Sequence, residues 1–305
     1  LRAMIHPSIL LPAAALLLLT MTPSCTPRPS SVPDDSPAGP QPDRAWTYRT
    51  IDGKALALHG FLPDRWRADD RRPGIVFFFG GGFNGGTPAQ FHPQASYLAS
   101  RGMVALCAEY RVKSRDGVTP DRCVADARAA MAWMRSHADD LGIDPHRIVA
   151  AGGSAGGHLA AATATLDAFD PDDLDPSISP EPNALVLFNP VLDSGPGGFA
   201  HDAVKPYWRD FSPLHNIEPG MPPALFMLGD KDHLIPVTTA ERFEQRMKEV
   251  GSRCVVKIYQ GAGHGFFNYR DGHNPYYYQT MREVDRFLGS LGYLKGEPTL
   301  TEPAQ

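Results

Sequence analysis

The sequence lacks the concentrated positive charge that a nucleic-acid-binding protein needs. Its 305 residues include 29 lysines and arginines against 34 aspartates and glutamates, a formal net charge of −5. The charges form no long run of one sign, and no segment repeats along the chain. Because nucleic-acid binding requires a basic patch or a high pI, the sequence argues against that class of partner.

Cysteine is scarce as well. The four cysteines are Cys25, Cys107, Cys123 and Cys254. None stands at a cysteine–histidine spacing typical of zinc sites, so we predict no metal and no cofactor. Cys107 and Cys254 lie in strand-like runs and are expected in the core. Disulfide connectivity among the last three cysteines does not follow from the sequence.

The first 24 residues differ from the rest of the chain. Arg2 supplies a positive charge, and Ile9–Met21 is a 13-residue stretch that is apolar except for Pro12 and Thr20. Because this stretch is too short to span a bilayer comfortably, residues 1–24 are typical of a secretory signal peptide. The alternative, a buried N-terminal helix, is disfavoured because the stretch has no amphipathic face.

Cys25 follows Thr22-Pro23-Ser24, and together they resemble a bacterial lipobox, in which the cysteine becomes the lipidated first residue. Pro23 stands where a small aliphatic residue is usual, so simple secretion is the alternative. Residues 25–45 are rich in proline and nearly free of apolar side chains, which predicts an extended linker. We expect an exported protein, periplasmic or extracellular, with Cys25 as a candidate membrane tether.

From Trp46 onwards, apolar runs alternate with segments that have apolar residues at helical spacing. The runs typical of buried strands are Ile75–Phe79, Met103–Ala108, Arg147–Ala151, Ala184–Phe188, Ala224–Leu228 and Arg253–Tyr259. This alternation predicts an α/β fold, a mainly parallel sheet with helices on both faces. We expect one folded domain over residues 46–295 and a tail at residues 296–305.

A G-x-S-x-G pattern, Gly152-Gly153-Ser154-Ala155-Gly156, follows one of these runs and precedes an alanine-rich stretch suited to a helix. Strand, tight turn and helix form the context of a nucleophile elbow, in which the serine sits on a strained turn. Ser154 would then lie at the carboxyl end of a parallel strand, where ligand sites of such sheets are found. The alternative is a glycine-rich turn around a buried serine.

A nucleophilic serine needs a base. His264, flanked by glycines after the last predicted strand, has the required location and freedom, and we select it from 11 histidines. We expect the others to be structural. His158, one turn into the helix after Ser154, is expected to pack or brace, and His233 to point elsewhere.

The base in turn needs an orienting carboxylate. Asp230 and Asp232 compete in the loop after Ala224–Leu228. We favour Asp232, because Asp-x-Leu-x-Pro turns away from the sheet toward the following helix, whereas Asp230 is expected to brace the turn. Asp193, one strand earlier, is a third candidate.

Three consecutive glycines, Gly80 to Gly82, follow the strand Ile75–Phe79. Glycines let bare backbone N–H groups face a site, where they can bind an oxyanion. We expect the N–H groups of Gly81, Gly82 and Ala155 to form this oxyanion hole. A phosphate-binding loop is disfavoured, because no Gly-Lys-Ser/Thr follows and the glycines do not match G-x-G-x-x-G.

Five motifs occur in order between Arg72 and Phe267: Gly80-Gly81-Gly82-Phe83, Glu109-Tyr110-Arg111, Gly152-Gly153-Ser154-Ala155-Gly156-Gly157-His158, Gly229-Asp230-Lys231-Asp232 and Gly263-His264-Gly265-Phe266. Together they resemble the α/β-hydrolase esterases of the hormone-sensitive-lipase and BD-FAE-like groups, the latter named for bifunctional acetylxylan and feruloyl esterases. The resemblance implies an α/β-hydrolase fold over the catalytic domain at 46–295 and a serine esterase activity.

Two features depart from the pattern of these families. Phe79 stands where they usually have the histidine of His-Gly-Gly-Gly, so the hydrogen bonds that brace the loop must come from elsewhere. Residues 46–71 have a β pattern, in contrast to the helical N-terminal cap of the hormone-sensitive-lipase group. The second departure favours the uncapped esterases with an open site.

The segment between Leu192 and Pro223 has room for at most a small lid. Its aromatic residues are Phe199, Tyr207, Trp208 and Phe211. They are expected either to form an aromatic wall for an acyl or sugar group or to belong to a loop packed on the sheet.

The expected function is that of an exported serine carboxylesterase. Its substrates would be short-chain acyl esters, small or polysaccharide-linked, with acetyl or feruloyl esters on carbohydrates implied by the resemblance. A serine peptidase of the prolyl-oligopeptidase type is one alternative, although it would need a propeller domain for which the chain has no room. A non-catalytic binding module is the other, although such proteins usually lack a member of the triad. The oligomeric state does not follow from the sequence.

Overall fold

A computed structural model describes residues 39–270 and 273–302. The predicted signal peptide at residues 1–24 and Cys25 lie outside the described residues, as does most of the predicted linker at residues 25–45. Within the described part, no helix is both long and apolar enough to cross a membrane.

Eight strands form a single sheet: β1 Arg44–Ile51, β2 Lys54–Phe61, β3 Arg72–Phe78, β4 Val104–Ala108, β5 Ile143–Gly153, β6 Ala184–Phe188, β7 Ala224–Gly229 and β8 Cys254–Tyr259. Their order across the sheet is β1-β2-β4-β3-β5-β6-β7-β8. β2 pairs antiparallel with β1 and β4, and every other pair of neighbours is parallel. The predicted mainly parallel sheet is therefore confirmed, and the β pattern before the central strand forms β1 and β2.

The helices are α1 His92–Ser100, α2 Lys113–Asp116, α3 Pro120–Ser136, α4 Ala155–Thr165, α5 His201–Val204, α6 Trp208–Phe211, α7 Val237–Glu249 and α8 Pro275–Ser290. α1 connects β3 to β4, which lies on the side of β3 nearer to β1. α3, α4 and α7 each connect a strand to one that lies nearer to the β8 edge of the sheet. Because such crossovers are right-handed, α1 lies on one face of the sheet and the other three on the opposite face. α8 joins α1, since Asp285 accepts hydrogen bonds from Tyr97 and Arg101.

The core follows the apolar runs of the sequence. β4, β6 and β7 are buried along their whole length, whereas the edge strands β1 and β8 are largely half-buried or exposed. Central strands covered on both faces need apolar side chains in both directions, which explains why their sequences do not alternate.

The register of the sheet brings the active-site loops to one edge. Gly152 of β5 pairs with Phe78 of β3, and Gly153 pairs with Phe188 of β6. Further along, Gly229 of β7 pairs with Tyr259 of β8. The loops that follow β3, β5, β6, β7 and β8 therefore all start at the carboxyl edge of the sheet.

Both ends of the described chain are attached to this domain. The Asp43 backbone N–H donates to the Gly60 carbonyl at 2.8 Å, and the Asp43 carboxylate accepts from the Leu62 N–H at 2.8 Å. At the other end, Arg282 of α8 forms an ion pair with Glu302 at 2.6 Å, and Thr299 contacts Tyr97 of α1. The described residues of the predicted tail thus contact α1 and α8.

Candidate active site

Ser154 occupies the turn between β5 and α4. Its backbone has φ +55° and ψ −121°, in a region that residues with a Cβ rarely adopt. Such strain persists only where the surroundings fix the chain. A Cβ on Gly156 would lie 2.0 Å from the Phe78 carbonyl oxygen, so only glycine permits this close approach of helix to strand. The turn has the geometry of the predicted nucleophile elbow.

The structure brings Ser154, His264 and Asp232 into one hydrogen-bonded line. His264 Nε2 lies 2.9 Å from Ser154 Oγ, and His264 Nδ1 lies 2.8 Å from Asp232 Oδ2. With Nδ1 protonated toward the carboxylate, the Nε2 lone pair faces the serine hydroxyl. A base in this position can accept the hydroxyl proton as the serine attacks.

The surroundings of Asp232 keep its carboxyl ionised. The side chain is fully buried, and its Oδ1 accepts from the backbone N–H groups of Leu234 and Ile235 at 2.9 and 3.0 Å. Burial alone would raise the pKa of Asp232, but the hydrogen bonds from His264 and the two N–H groups outweigh it and hold the pKa below its usual value. The turn Asp-x-Leu-x-Pro therefore places one carboxylate oxygen on the backbone and leaves the other for His264.

The other candidate acids have different partners. Asp230 accepts from the Gly261 N–H at 2.7 Å and braces the two loops, as its position in the turn predicted. Asp193 pairs with Arg242 at 2.6 Å and accepts from the Gly195 N–H at 2.9 Å. Neither contacts His264.

The remaining histidines of interest divide into one buried and one exposed residue. His158 is fully buried, and its Nδ1 donates to the Val191 carbonyl at 2.9 Å. Burial lowers the pKa of His158 to about 3, so it packs as a neutral ring. His233, which we expected to point elsewhere, is exposed, yet its ring lies edge-on to His264 with centroids 6.1 Å apart.

Asn189 is a member of the site that sequence reasoning missed. It follows β6 directly, is fully buried, and has φ +32°. Its Nδ2 lies 3.0 Å from His264 Nδ1 and 3.3 Å from Nε2. β6 lies between the strands that carry Ser154 and Asp232, so the residue at its carboxyl end underlies the histidine. A polar residue directly after a wholly apolar strand was the available signal.

The glycine loop after β3 supplies unoccupied N–H groups. Gly81 has φ +131°, and a Cβ there would lie 2.2 Å from the Gly85 carbonyl oxygen, so the tight turn requires glycine. Within residues 39–270 and 273–302, the N–H groups of Gly81, Gly82 and Ala155 have no acceptor, whereas Gly80 N–H donates to Gln90. Ala155 is the first residue of α4, where the positive end of the helix dipole also favours an anion.

Phe79 is held without the histidine that the related families use. Its ring stacks on Tyr110 with centroids 4.0 Å apart, and its carbonyl accepts from Tyr110 Oη at 2.6 Å. Next in the chain, Gly80 N–H donates to Gln90 Oε1 at 2.6 Å. Tyr110, of the Glu-Tyr-Arg motif, and Gln90 therefore hold the oxyanion loop in place of the histidine that Phe79 replaces.

The aromatic residues of the segment 192–223 do not act as one wall. Phe211 is fully buried against His158 and Phe83, and Tyr207 donates to Asp121 at 3.1 Å. Phe199 differs, since a Cβ on Gly82 would approach its ring at 3.4 Å. Phe199 therefore lies against the oxyanion loop, whereas Phe211 packs in the core and Tyr207 pairs with a polar group of α3.

Neither metal ligands nor disulfides are assembled in the described ranges. Among those residues, no group of three or more histidine, cysteine, aspartate or glutamate side chains is placed to hold a metal ion. Cys107, Cys123 and Cys254 are free thiols, the first two buried. Burial raises the pKa of Cys254 to about 12, so this thiol stays protonated and is a poor nucleophile.

Comparisons with known proteins match most of the chain to two families. Residues 61–193 match the BD-FAE family, and residues 198–292 match the dienelactone hydrolase family. Esterase LipC of Mycobacterium tuberculosis is 32% identical over 77% of this chain, which spans 66% of LipC. An acetylxylan esterase of Xylanibacter ruminicola is 27% identical over 79% of this chain, which spans 49% of that protein. The chain therefore spans about half to two thirds of these curated relatives.

Solved structures give a longer match. Thermogutta terrifontis esterase 2, in a structure phosphorylated by paraoxon, is 43% identical, with a TM-score of 0.79 over 83% of this chain and 96% of that one. A structure of the same esterase with butyrate bound is 42% identical with the same TM-score and coverage. These neighbours share the α/β-hydrolase fold described above.

Proposed function

Since this chain belongs to the esterases of the α/β-hydrolase fold, we propose that it hydrolyses short-chain carboxylic esters through an acyl-enzyme formed on Ser154. The observation that carries this proposal is the hydrogen-bonded line from Ser154 Oγ through His264 to Asp232, at 2.9 and 2.8 Å. A serine on a strained turn, a base within reach and a buried carboxylate are the parts that acyl transfer requires.

In the first half of the reaction, Ser154 Oγ attacks the ester carbonyl carbon while His264 Nε2 takes its proton. The carbonyl oxygen becomes an oxyanion, and we assign its stabilisation to the N–H groups of Gly81, Gly82 and Ala155, which have no acceptor among the described residues. Collapse of this intermediate breaks the bond to the alcohol oxygen, and His264 returns the proton to the departing alcohol. Asp232 stabilises the imidazolium that exists between the two proton transfers.

In the second half, His264 deprotonates a water that attacks the acyl carbon on Ser154. The new oxyanion forms in the same place, and its collapse releases the carboxylic acid as Ser154 recovers its proton. His264 thus acts as the base in both halves of the reaction. Ser154, His264, Asp232 and the oxyanion donors together perform every step.

A short acyl chain is supported by Phe199. Its ring lies against Gly82, one of the proposed oxyanion donors, and so limits the space beside the reacting carbonyl. The structure of Thermogutta terrifontis esterase 2 with butyrate bound supports the same range of chain length. An acetyl or feruloyl ester on a carbohydrate is our proposal for the natural substrate, supported by the BD-FAE match and the relative named acetylxylan esterase.

We further propose that the protein is exported, with Cys25 as a candidate site of lipidation. This rests on the sequence of residues 1–25 alone. Fractionation of cells that express Cys25→Ser tests the tether: release from the membrane fraction is expected, and retention there would contradict it.

The esterase proposal is tested with p-nitrophenyl acetate and butyrate. Ser154→Ala should lose nearly all activity, whereas Ser136→Ala, at an exposed serine on α3, should retain it. A fluorophosphonate probe should label the wild type at Ser154 and leave the Ser154→Ala variant unlabelled. Activity that survives in Ser154→Ala would rule out the acyl-enzyme, and failure to label a folded, inactive wild type would favour a binding module.

The substrate class is tested with a panel of acetylated xylan, methyl ferulate and a medium-chain triglyceride. The carbohydrate proposal predicts release of acetate or ferulate from the first two. Preference for the triglyceride over both would contradict it.

A further inference from the structure

Two side-chain amides connect the oxyanion loop to the histidine loop. Gly80 N–H donates to Gln90 Oε1 at 2.6 Å, and Gln90 Nε2 donates to Asn268 Oδ1 at 3.0 Å. Asn268 Nδ2 then donates to the carbonyl of Gly265, also at 3.0 Å. We call this chain of hydrogen bonds, from Gly80 through Gln90 and Asn268 to Gly265, the relay. Gly80 precedes the proposed donor Gly81, and Gly265 follows His264.

The direction of the relay is fixed by its backbone ends. The Gly80 backbone contributes an N–H donor, so Gln90 must turn its side-chain oxygen toward Gly80 and its NH₂ group toward Asn268. The Gly265 backbone contributes a carbonyl acceptor, so Asn268 must turn its NH₂ group toward Gly265 and its side-chain oxygen toward Gln90. Each amide therefore has one orientation that satisfies both neighbours, and reversing either one would place two donors or two acceptors together.

Phe83 and Phe267 anchor the two loops by packing in the core, but the segments nearest the catalytic groups consist largely of glycine. Both are rich in glycine, whose missing side chains cannot pack, and Gly81, Gly82 and Gly265 have φ of +131°, +64° and +76°. The oxyanion loop also lies directly on the nucleophile, since a Cβ on Gly80 would be 3.3 Å from Ser154 Cβ. A shift of either loop would therefore change the position of the oxyanion donors relative to Ser154 and His264.

Asn268 is itself anchored at the histidine end. Asn274 Nδ2 donates to the Asn268 carbonyl at 2.7 Å and also contacts the Phe266 carbonyl. Asn274 caps α8, where its side chain accepts from the Tyr276 N–H. The relay is thus tied to a long helix at one end and to the start of α1 at the other, because Gln90 lies in the helical turn that leads into α1.

We propose that Gln90 and Asn268 are positioning residues that hold the oxyanion donors at the correct distance from His264. This inference rests on the proposed esterase function. Phe79, in place of the family's histidine, removes one brace of the oxyanion loop, and the relay connects this loop to the loop that carries His264. Neither amide contacts the reacting atoms, so both act through the two loops.

The test compares Gln90→Met with a matched control, Gln94→Met. Both substitutions replace an amide by an apolar side chain of similar length. Gln94 is buried and donates to the Phe267 carbonyl at 3.2 Å, and its amide bonds no residue of the oxyanion loop among the described residues. Gln90→Met should lower kcat roughly tenfold or more with little change in KM, because misplaced catalytic groups raise the barrier without weakening substrate binding. Gln94→Met should leave kcat within about twofold, because packing against Phe91 and Phe188 still holds Phe267 in place.

A transition-state analogue separates positioning from general loosening. A trifluoromethyl ketone adds to Ser154 and forms an oxyanion, so its Ki should rise in Gln90→Met by the same factor as kcat/KM falls. The double variant Gln90→Met/Asn268→Leu should lose no more activity than the more severe single variant, since both break one relay. Additive losses, or a kcat in Gln90→Met equal to wild type, would overturn the inference.

Hydrogen exchange makes the result independent of the reaction. In Gln90→Met, exchange should rise in both loops, at residues 79–86 and 263–268, and unchanged exchange in both would overturn the relay even if the wild type proved not to be an esterase. If Gln90→Met does not fold, Asn268→Ser replaces it in these measurements. Asn268 is half-exposed, and its substitution breaks the same hydrogen bond to Gln90. Wild-type activity that Ser154→Ala abolishes would leave the proposed function intact whatever the relay variants show.

Discussion

The amide of Asn189 covers one face of the His264 ring. Its Nδ2 is 3.0 Å from Nδ1 and 3.3 Å from Nε2. In the plane of the ring, an atom this close to both nitrogens would collide with the carbon between them, so the amide must lie above the plane. The ring nitrogens keep their in-plane partners, Asp232 and Ser154. Asn189 thus restricts the tilt of the ring without competing for its hydrogen bonds.

A charge placed at residue 189 should change the pH dependence of the reaction. Asn189→Asp puts a carboxylate beside the imidazole and favours its protonated form, so the acid limb of kcat/KM should move up by about one pH unit. Aspartate tolerates a positive φ, and the backbone should be preserved. Asn189→Ser is the matched neutral control and should leave the limb in place. Identical profiles for the two variants would show that residue 189 does not act on the ring electrostatically.

Phe199 should limit the length of the acyl group. Phe199→Ala removes the ring that lies against Gly82 and opens space beside the reacting carbonyl. The ratio of kcat/KM for p-nitrophenyl octanoate to that for the acetate should therefore rise by about tenfold, the effect of an additional methylene bound in an apolar pocket. Trp208→Ala, in the same segment, is the control and should leave the ratio near that of wild type. An unchanged ratio in Phe199→Ala would place the acyl chain elsewhere.

His158 should make the protein sensitive to mild acid. Its pKa is lowered from 6.5 to about 3 by burial, so the unfolded state binds a proton more readily than the folded state. The stability that this residue contributes is present above pH 6.5 and is lost as the pH falls toward 3. Between pH 6.5 and 5, about 2 kcal/mol of the free energy of unfolding should be lost through this group.

Urea unfolding at a series of pH values measures this loss. His158→Asn keeps a donor for the Val191 carbonyl and removes the titrating ring, so its free energy of unfolding should depend less on pH. The exposed His146→Asn should retain the slope of the wild type. A wild-type slope in His158→Asn would mean that other groups cause the acid sensitivity.

A chain that begins at Asp43 should fold and keep the kinetics of the full sequence. The Asp43 backbone N–H donates to Gly60 of β2, and the Asp43 carboxylate accepts from the Leu62 N–H. β1 then starts at Arg44. Equal kcat, KM and Tm for the two lengths are expected. Insolubility or a lower Tm of the shorter chain would assign a structural role to the residues before Asp43.

Local pattern was enough to predict the sheet and the motif that carries the nucleophile. Apolar runs such as Ala184–Phe188 are buried on both sides, and the buried strand β6 has the same bounds as the run. Gly152 and Gly156 predicted the elbow because the close approach of strand and helix depends on residues next to one another in the chain. The order of the motifs likewise predicted which loops end at the same edge of the sheet.

Other features depended on contacts between distant parts of the chain. Gln90 and Asn268 are 178 positions apart, and neither stands in a motif that suggests a partner for the other. Asn189 contacts a histidine 75 positions away, only because β6 lies between the strands that lead to Ser154 and Asp232. An amide can donate or accept in many settings, so its type says little until the fold brings a specific partner to it. The sequence alone therefore determined the strands, the elbow and the candidate catalytic side chains, whereas the tertiary structure decided which polar groups hold them in place.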